Sequence, residues 1–171
     1  AMKKHLLYGI CAITIFLGSL LLFQVQPLIG KYILPWFGGT SFVWITSLLF
    51  FQVLLLAGYF YTFILSRWTI KKQIIMHTVV TLAIGIIVIF LFSMRQSPII
   101  PNLSEMLSDT YSPFLQVLFL LTISVGLPYF LLSTNSTLLQ KWFSLFPHKK
   151  SPYGLYAISN IGSLLAIITY P

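Results

Sequence analysis

The residues of this chain able to do chemistry are few and mostly uncharged. Gln24, Gln26 and Lys31 gather where a long apolar run ends, Gln52 lies midway along the next run, Asn135 sits in the stretch STNS after Pro128, and Asn160 follows Ser159 in the last run. In hydrocarbon such polar side chains must find partners or line water, which makes them the first candidates for a ligand site. Tyr59 and Tyr156 add aromatic faces able to meet a small cation. The competing reading is helix-to-helix hydrogen bonding, worth about 0.6 to 2 kcal/mol per contact. Acid–base chemistry is poorly supplied. The only acids, Glu105 and Asp109, share one loop with no histidine or cysteine near them in sequence, so no catalytic residue is assigned. Gly38-Gly39 lies in no GxGxxG or Walker pattern. His5 and His77 could in principle ligate a haem between two helices, but interfacial histidines without that role are commoner, so no cofactor and no metal are expected.

The elements that must position these residues are set by composition. Charged residues make up 7% of the 171, and five apolar runs reach or approach the roughly twenty residues a helix needs to cross a bilayer. The class expected is an all-α integral membrane protein, one domain over residues 1–171, with spans over about 6–29, 41–65, 74–92, 114–132 and 153–170. Lys3 and Lys4 precede the first run, Arg67, Lys71 and Lys72 separate the second from the third, and Lys141, Lys149 and Lys150 separate the fourth from the fifth. Lys31, Arg95 and both acids fall on the other side. This asymmetry predicts a cytoplasmic N-terminus and an external C-terminus, and it accounts for the formal charge of +8 without nucleic acid. Trp36, Trp44, Trp68 and Trp142 read as interface anchors. The first run is long for a signal core and no small-x-small site follows it, so a retained helix is expected. Cys11, the single cysteine, permits no internal disulfide and reads as a packing residue.

Local irregularities are expected at Pro27, and at Gly126 and Pro128, where a helix should bend or break; the bland alternative for Pro128 is a kink near the interface. After it, Leu138, Leu139, Trp142, Phe143 and Leu145 fall on roughly one helical face, predicting a separate interfacial helix over about 136–146. A short amphipathic piece around Leu103 to Leu107 is expected in the outer loop. Ser159, Gly162, Ser163 and Ala166 form two small-x-x-x-small pairs that let another backbone approach, within the chain or across a dimer.

The segments FQVQPLIGKYILPWFGGTSFVWITSLLFFQVLLLAGYFYTFIL, VGLPYFLLSTNSTLLQKWF and SPYGLYAISNIGSLLAIITYP resemble the N-terminal membrane region of the fused MFS/spermidine synthase proteins. The pattern includes Gln26-Pro27, Gly30-Lys31, Gly38-Gly39-Thr40, Phe51-Gln52, Gly58-Tyr59, Gly126-Leu127-Pro128, Leu139-Gln140, Leu155-Tyr156 and Ser159-Asn160; it is weakest over the third run and the loop after it. The resemblance implies a transporter-like membrane module that in the family precedes an aminopropyltransferase-like domain of Rossmann type. This chain has no glycine-rich nucleotide loop or acidic pair of the kind a polyamine synthase needs, so synthase activity is not carried over. The expectation is a spermidine synthase-like module of the bacterial inner membrane that binds or moves a small polar, polyamine-related metabolite. The alternative is a non-catalytic anchor or scaffold that docks a partner protein. The partners expected are the lipid bilayer, a second copy of the chain, or a soluble or membrane protein.

Overall fold

A computed structural model describes residues 2–95, 112–145 and 153–170. The segment around Leu103 to Leu107, both acids, His148, Lys149 and Lys150 lie outside the described residues. What is described is helical throughout, apart from short turns. Helix α1 covers Met2–Ile33 and leads through a 3-10 turn, Leu34–Phe37, into α2, Ser41–Leu65; α3 covers Ile70–Arg95, α4 Pro113–Leu145 and α5 Tyr153–Thr169. Helices α1 to α4 are each long and apolar enough to cross a membrane. Helix α5 has 17 residues, about 26 Å of rise against a hydrocarbon thickness of about 30 Å.

The helices run up and down. Phe42 at the start of α2 meets Phe114 at the start of α4, Lys141 near the end of α4 meets Ser66 after the end of α2, and Tyr8 of α1 stacks edge-on against Phe143 of α4. At the opposite end, Tyr170 donates to the carbonyl of Pro27 (3.3 Å). The two ends of the described chain therefore lie at opposite ends of the bundle. Helix α1 is central, with α5 along one side and α4 and α2 along the other, while α3 leans mainly on the second half of α4.

Two glycines turn the chain between α1 and α2. Gly38 and Gly39 both have positive φ (78° and 65°), and the Gly39 amide donates to Leu34 O at 2.9 Å. This left-handed closure follows from the absence of a Cβ. Close helix approach explains three further glycines. A Cβ on Gly30 would meet the Trp44 ring, one on Gly58 would meet Ser133, and one on Gly162 would lie 2.7 Å from the Phe16 carbonyl oxygen.

Neither proline breaks its helix, although the irregularity expected at Gly126 and Pro128 is present as a π-turn. Helix α1 continues through Pro27 to Ile33. Pro27 cannot donate to the Phe23 carbonyl one turn back; around it, Gln24 bonds Thr169 (3.1 Å) and Tyr170 donates to Pro27 O, so the proline turn is fastened to the end of α5. Pro128 does not break α4 either. The chain passes through a π-turn over Thr122–Gly126 and resumes α-helix at Leu127. The wider i→i+5 turn relieves the clash of the proline ring with the preceding turn. The separate helix expected over 136–146 is likewise the end of this same helix. No glycine or proline interrupts 129–145. Ser133 and Thr134 donate to their own helix at Phe130 O (2.7 Å) and Leu131 O (2.8 Å), so the polar stretch does not leave the helix.

Candidate functional site

Two apolar clusters fill the bundle. The larger joins Leu22, Ile29 and Ile33 of α1, Val43, Phe50 and Phe51 of α2, and Val117, Leu120, Leu121 and Tyr129 of α4. The smaller joins Ile15, Phe143 and Leu155, with Tyr8, Cys11, Ala12, Leu139 and Ile158 against it. Cys11 is thus a packing residue, half-buried in the second cluster.

Between the clusters lies a polar layer. Along α1 it falls at Ser19, between Ile15 and Leu22; along α4 it spans Ser133 to Gln140, beyond Tyr129 and reaching the turn of Leu139; along α5 it falls at Ser159, just past Ile158. Ser19 Oγ and Ser159 Oγ share a hydrogen bond of 2.7 Å, Ser136 Oγ and Ser159 Oγ one of 3.2 Å, and Gln140 Nε2 donates to Ser136 Oγ at 3.2 Å. Ser19, Ser133, Thr134 and Gln140 are buried. Helix α2 reaches the same level with Gly58 against Ser133, and buried Thr62 donates to Gly58 O at 2.9 Å. Asn135 is the distinctive member. Its Nδ2 lies 2.7 Å from where a Cβ on Gly18 would be, so the glycine makes the space that the amide occupies. It is half-buried, and among the described residues no hydrogen bond reaches its amide. A half-buried carboxamide in a layer that also holds three bonded hydroxyls offers donors and acceptors to a small polar molecule without any charge.

A second constellation closes the end of the bundle where α2, α3 and α4 meet. Gln73, 2% exposed, donates to Trp68 O (2.7 Å) and accepts from Trp142 Nε1 (2.9 Å). His77 Nδ1 lies 3.5 Å from Tyr61 OH, and its ring stands edge-on to Trp142 at 6.0 Å. Trp142, expected as an interface anchor, is therefore a half-buried contact between helices. His77 is occupied by Tyr61 and Trp142. No group of three or more metal-ligating side chains occurs among the described residues.

The residues singled out from the sequence divide three ways. Asn135 enters the polar layer. Gln24 and Lys31 join the far end of the bundle, Gln24 bonded to Thr169 and Lys31 with its ammonium 5.8 Å from the Tyr170 ring, with half-buried Gln26 in the same stretch of α1. Gln52, Tyr59, Tyr156 and Asn160 face outward, the tyrosines 47% and 50% exposed. The eight do not form one site. Ser159, Gly162, Ser163 and Ala166 are placed as a packing face whose partner is α1 of the same chain. Gly162 and Ala166 are buried, and Ser159 bonds Ser19.

Sequence reasoning reached Ser136 as part of the STNS stretch but missed Ser19 and Gln140 of the polar layer and Gln73 of the second constellation. For Ser19 a signal was available, since a serine between Gly18 and a run of leucines is a small-residue face of the kind that invites a neighbouring helix. For Gln73 there was none, because it sits one turn into α3 among lysines and reads as solvated. Compared with known protein families, characterised proteins and solved structures, the chain matches none.

Proposed function

We propose that this chain is a multi-pass module of a bacterial inner membrane that binds or moves a small polar metabolite at the layer between its two apolar clusters. All five helices cross the bilayer in this proposal, with the N-terminus cytoplasmic and the C-terminus external, on the grounds of the basic residues gathered at one end. One observation carries the ligand reading: the Asn135 carboxamide, held against Gly18, has no hydrogen-bond partner among the described residues, while Ser19 and Ser136, the chain neighbours of Gly18 and Asn135, both bond Ser159. In a low-dielectric interior such an amide gains from a polar ligand more than it would in water. The sequence resemblance to spermidine synthase-like membrane modules points to a polyamine-related amine. The acceptors for its N–H groups are then the serine oxygens and the Asn135 Oδ1.

The test is binding of spermidine, with neutral polyols as the comparison, followed as a shift in thermal unfolding of the detergent-purified protein. Asn135→Leu is expected to remove the shift and Asn160→Leu to keep it. An unchanged shift in Asn135→Leu refutes the site. No shift with any amine or polyol refutes the ligand class.

A second reading, a non-catalytic anchor that docks a partner protein, is favoured by a different observation. Gln52 and Asn160 are exposed on the outer faces of α2 and α5, and no hydrogen bond reaches either amide among the described residues. Carboxamides at membrane depth are well matched to polar groups of another helix. An intact-mass measurement that finds the unaltered chain without a partner counts against it, as does a partner that the double Gln52→Leu/Asn160→Leu variant retains.

A further inference from the structure

The turn between α2 and α3 is braced from inside. The amides of Ser66, Arg67 and Trp68 donate to Thr62, Ile64 and Leu65 carbonyls, Gln73 Nε2 donates to Trp68 O, and Lys141 Nζ donates to Ser66 O at 3.1 Å. Lys141 is half-buried, and its ammonium spends one of three donors on that carbonyl. The turn it holds and the first turn of α3 carry three more cations. Arg67 lies over the Phe63 ring, its guanidinium carbon 4.8 Å from the centroid, and Lys71 and Lys72 are exposed on the first turn of α3.

Nothing in the described chain neutralises this group. Both acids of the sequence lie outside the described residues, and no Asp or Glu occurs among the described ones. Beside the cations the surface is apolar: Phe63, Ile64, Trp68, Ile75 and Met76 are exposed. A fixed cluster of positive charge bordered by an apolar wall matches an amphiphile whose head is anionic and whose tail is hydrocarbon, and a free anion would use only half of that surface.

We infer that the α2–α3 turn, with Lys141, is a binding site for the headgroup phosphate of an anionic phospholipid. Arg67 contacts the phosphate through its planar fork, Lys71 and Lys72 contribute charge from the first turn of α3, and Lys141 is a fixed donor at the inner edge of the site. The acyl chains lie along Phe63, Trp68 and Met76. This site is separate from the polar layer and does not depend on a metabolite binding there.

The test is native intact-mass measurement of the detergent-purified protein titrated with cardiolipin, phosphatidylglycerol or phosphatidylcholine. The two anionic lipids are expected to be retained, and the Arg67→Gln/Lys71→Gln/Lys72→Gln variant to retain them about tenfold or more less well. Lys31→Gln, at the other end of the bundle, is expected to leave retention unchanged. Lys71→Gln/Lys72→Gln, both exposed positions, supplies the measurement should the triple variant lose its helical circular-dichroism signal, with about a fivefold loss expected. Equal retention of phosphatidylcholine overturns the inference, as does unchanged retention in the folded charge variants. Displacement of the lipid by an equal concentration of inorganic phosphate overturns the lipid assignment in favour of a soluble phosphate.

Discussion

Replacing Gly162 by alanine tests the central packing of the bundle more sharply than any other single change. The added Cβ would lie 2.7 Å from Phe16 O, a backbone atom of α1 that no side-chain rotation can move. Carbon-to-oxygen contacts between helices settle at about 3.3 to 3.6 Å, so α5 must retreat from α1 by about 0.6 Å. That retreat stretches the 2.7 Å Ser19–Ser159 bond one turn away. Overpacking of this kind costs about 1–3 kcal/mol, and the strained serine pair adds about 0.6 kcal/mol. Alanine returns about 1 kcal/mol through its higher helix propensity. The net expectation is a loss of about 0.6–2.6 kcal/mol. Gly85→Ala is the comparison, because a Cβ there meets nothing within 4 Å, and it should gain up to about 1 kcal/mol. The assay is the midpoint of thermal or SDS-induced unfolding in detergent micelles, followed by tryptophan fluorescence and circular dichroism. If Gly162→Ala proves as stable as Gly85→Ala, α1 and α5 do not meet as described.

Four further outcomes follow from named contacts. A double-mutant cycle of Ser19→Ala and Ser159→Ala should return a coupling of about 0.6 kcal/mol, and no more than about 1.7, by unfolding in micelles. Trp142→Phe keeps the ring but removes the donor to Gln73 Oε1, and should cost about 1–3 kcal/mol because that oxygen is left buried. Gly38→Ala forces a Cβ into left-handed backbone and should cost about 1–2 kcal/mol in the same assay, without altering helix content. Tyr61→Phe removes the hydroxyl facing His77 at 3.5 Å and should change stability by less than about 1 kcal/mol, since the contact is long; a larger loss would mean the pair is tighter than described.

The helical class is legible in the sequence because the apolar runs are long and hold few breakers. The prolines mislead. One missing hydrogen bond is a local cost; just before Pro128 a π-turn makes room for the ring, and around Pro27 the helix is fastened to α5, which lies far away in the chain. The polar residues divide for a related reason. Asn135 and Gln52 are both carboxamides in apolar surroundings, but which of them faces inward depends on how each helix is rotated against its neighbours. With leucine, isoleucine and phenylalanine on every face, the sequence around Gln52 marks no inner side. The small residues of α5 announced a close approach correctly as chemistry, yet only the fold names α1 as the partner. The lysines around Gln73 hid it, because a residue one turn into a helix beside two charged neighbours carries no sign of burial.

The π-turn in α4 sets the phase of everything that follows it. Before the turn the buried positions are Val117, Leu120 and Leu121; the turn ends on buried Gly126, and after it Tyr129, Ser133, Thr134, Leu138, Gln140 and Phe143 are buried. Extending the first stripe at 3.6 residues per turn would bring positions near 125, 128 and 132 inward. The second stripe trails that series by about one residue, which is the slip that a single i→i+5 turn introduces. Were α4 uninterrupted α-helix, its second half would be turned by roughly 100° relative to the first. Pro128 and Leu132 would then take the places now held by Tyr129 and Ser133, and the hydroxyls of the polar layer would turn away from α1 and α5. One extra residue in one turn thus lets a single rod serve two differently oriented surfaces, an apolar one against α2 and a hydroxyl-bearing one set between α2 and α1.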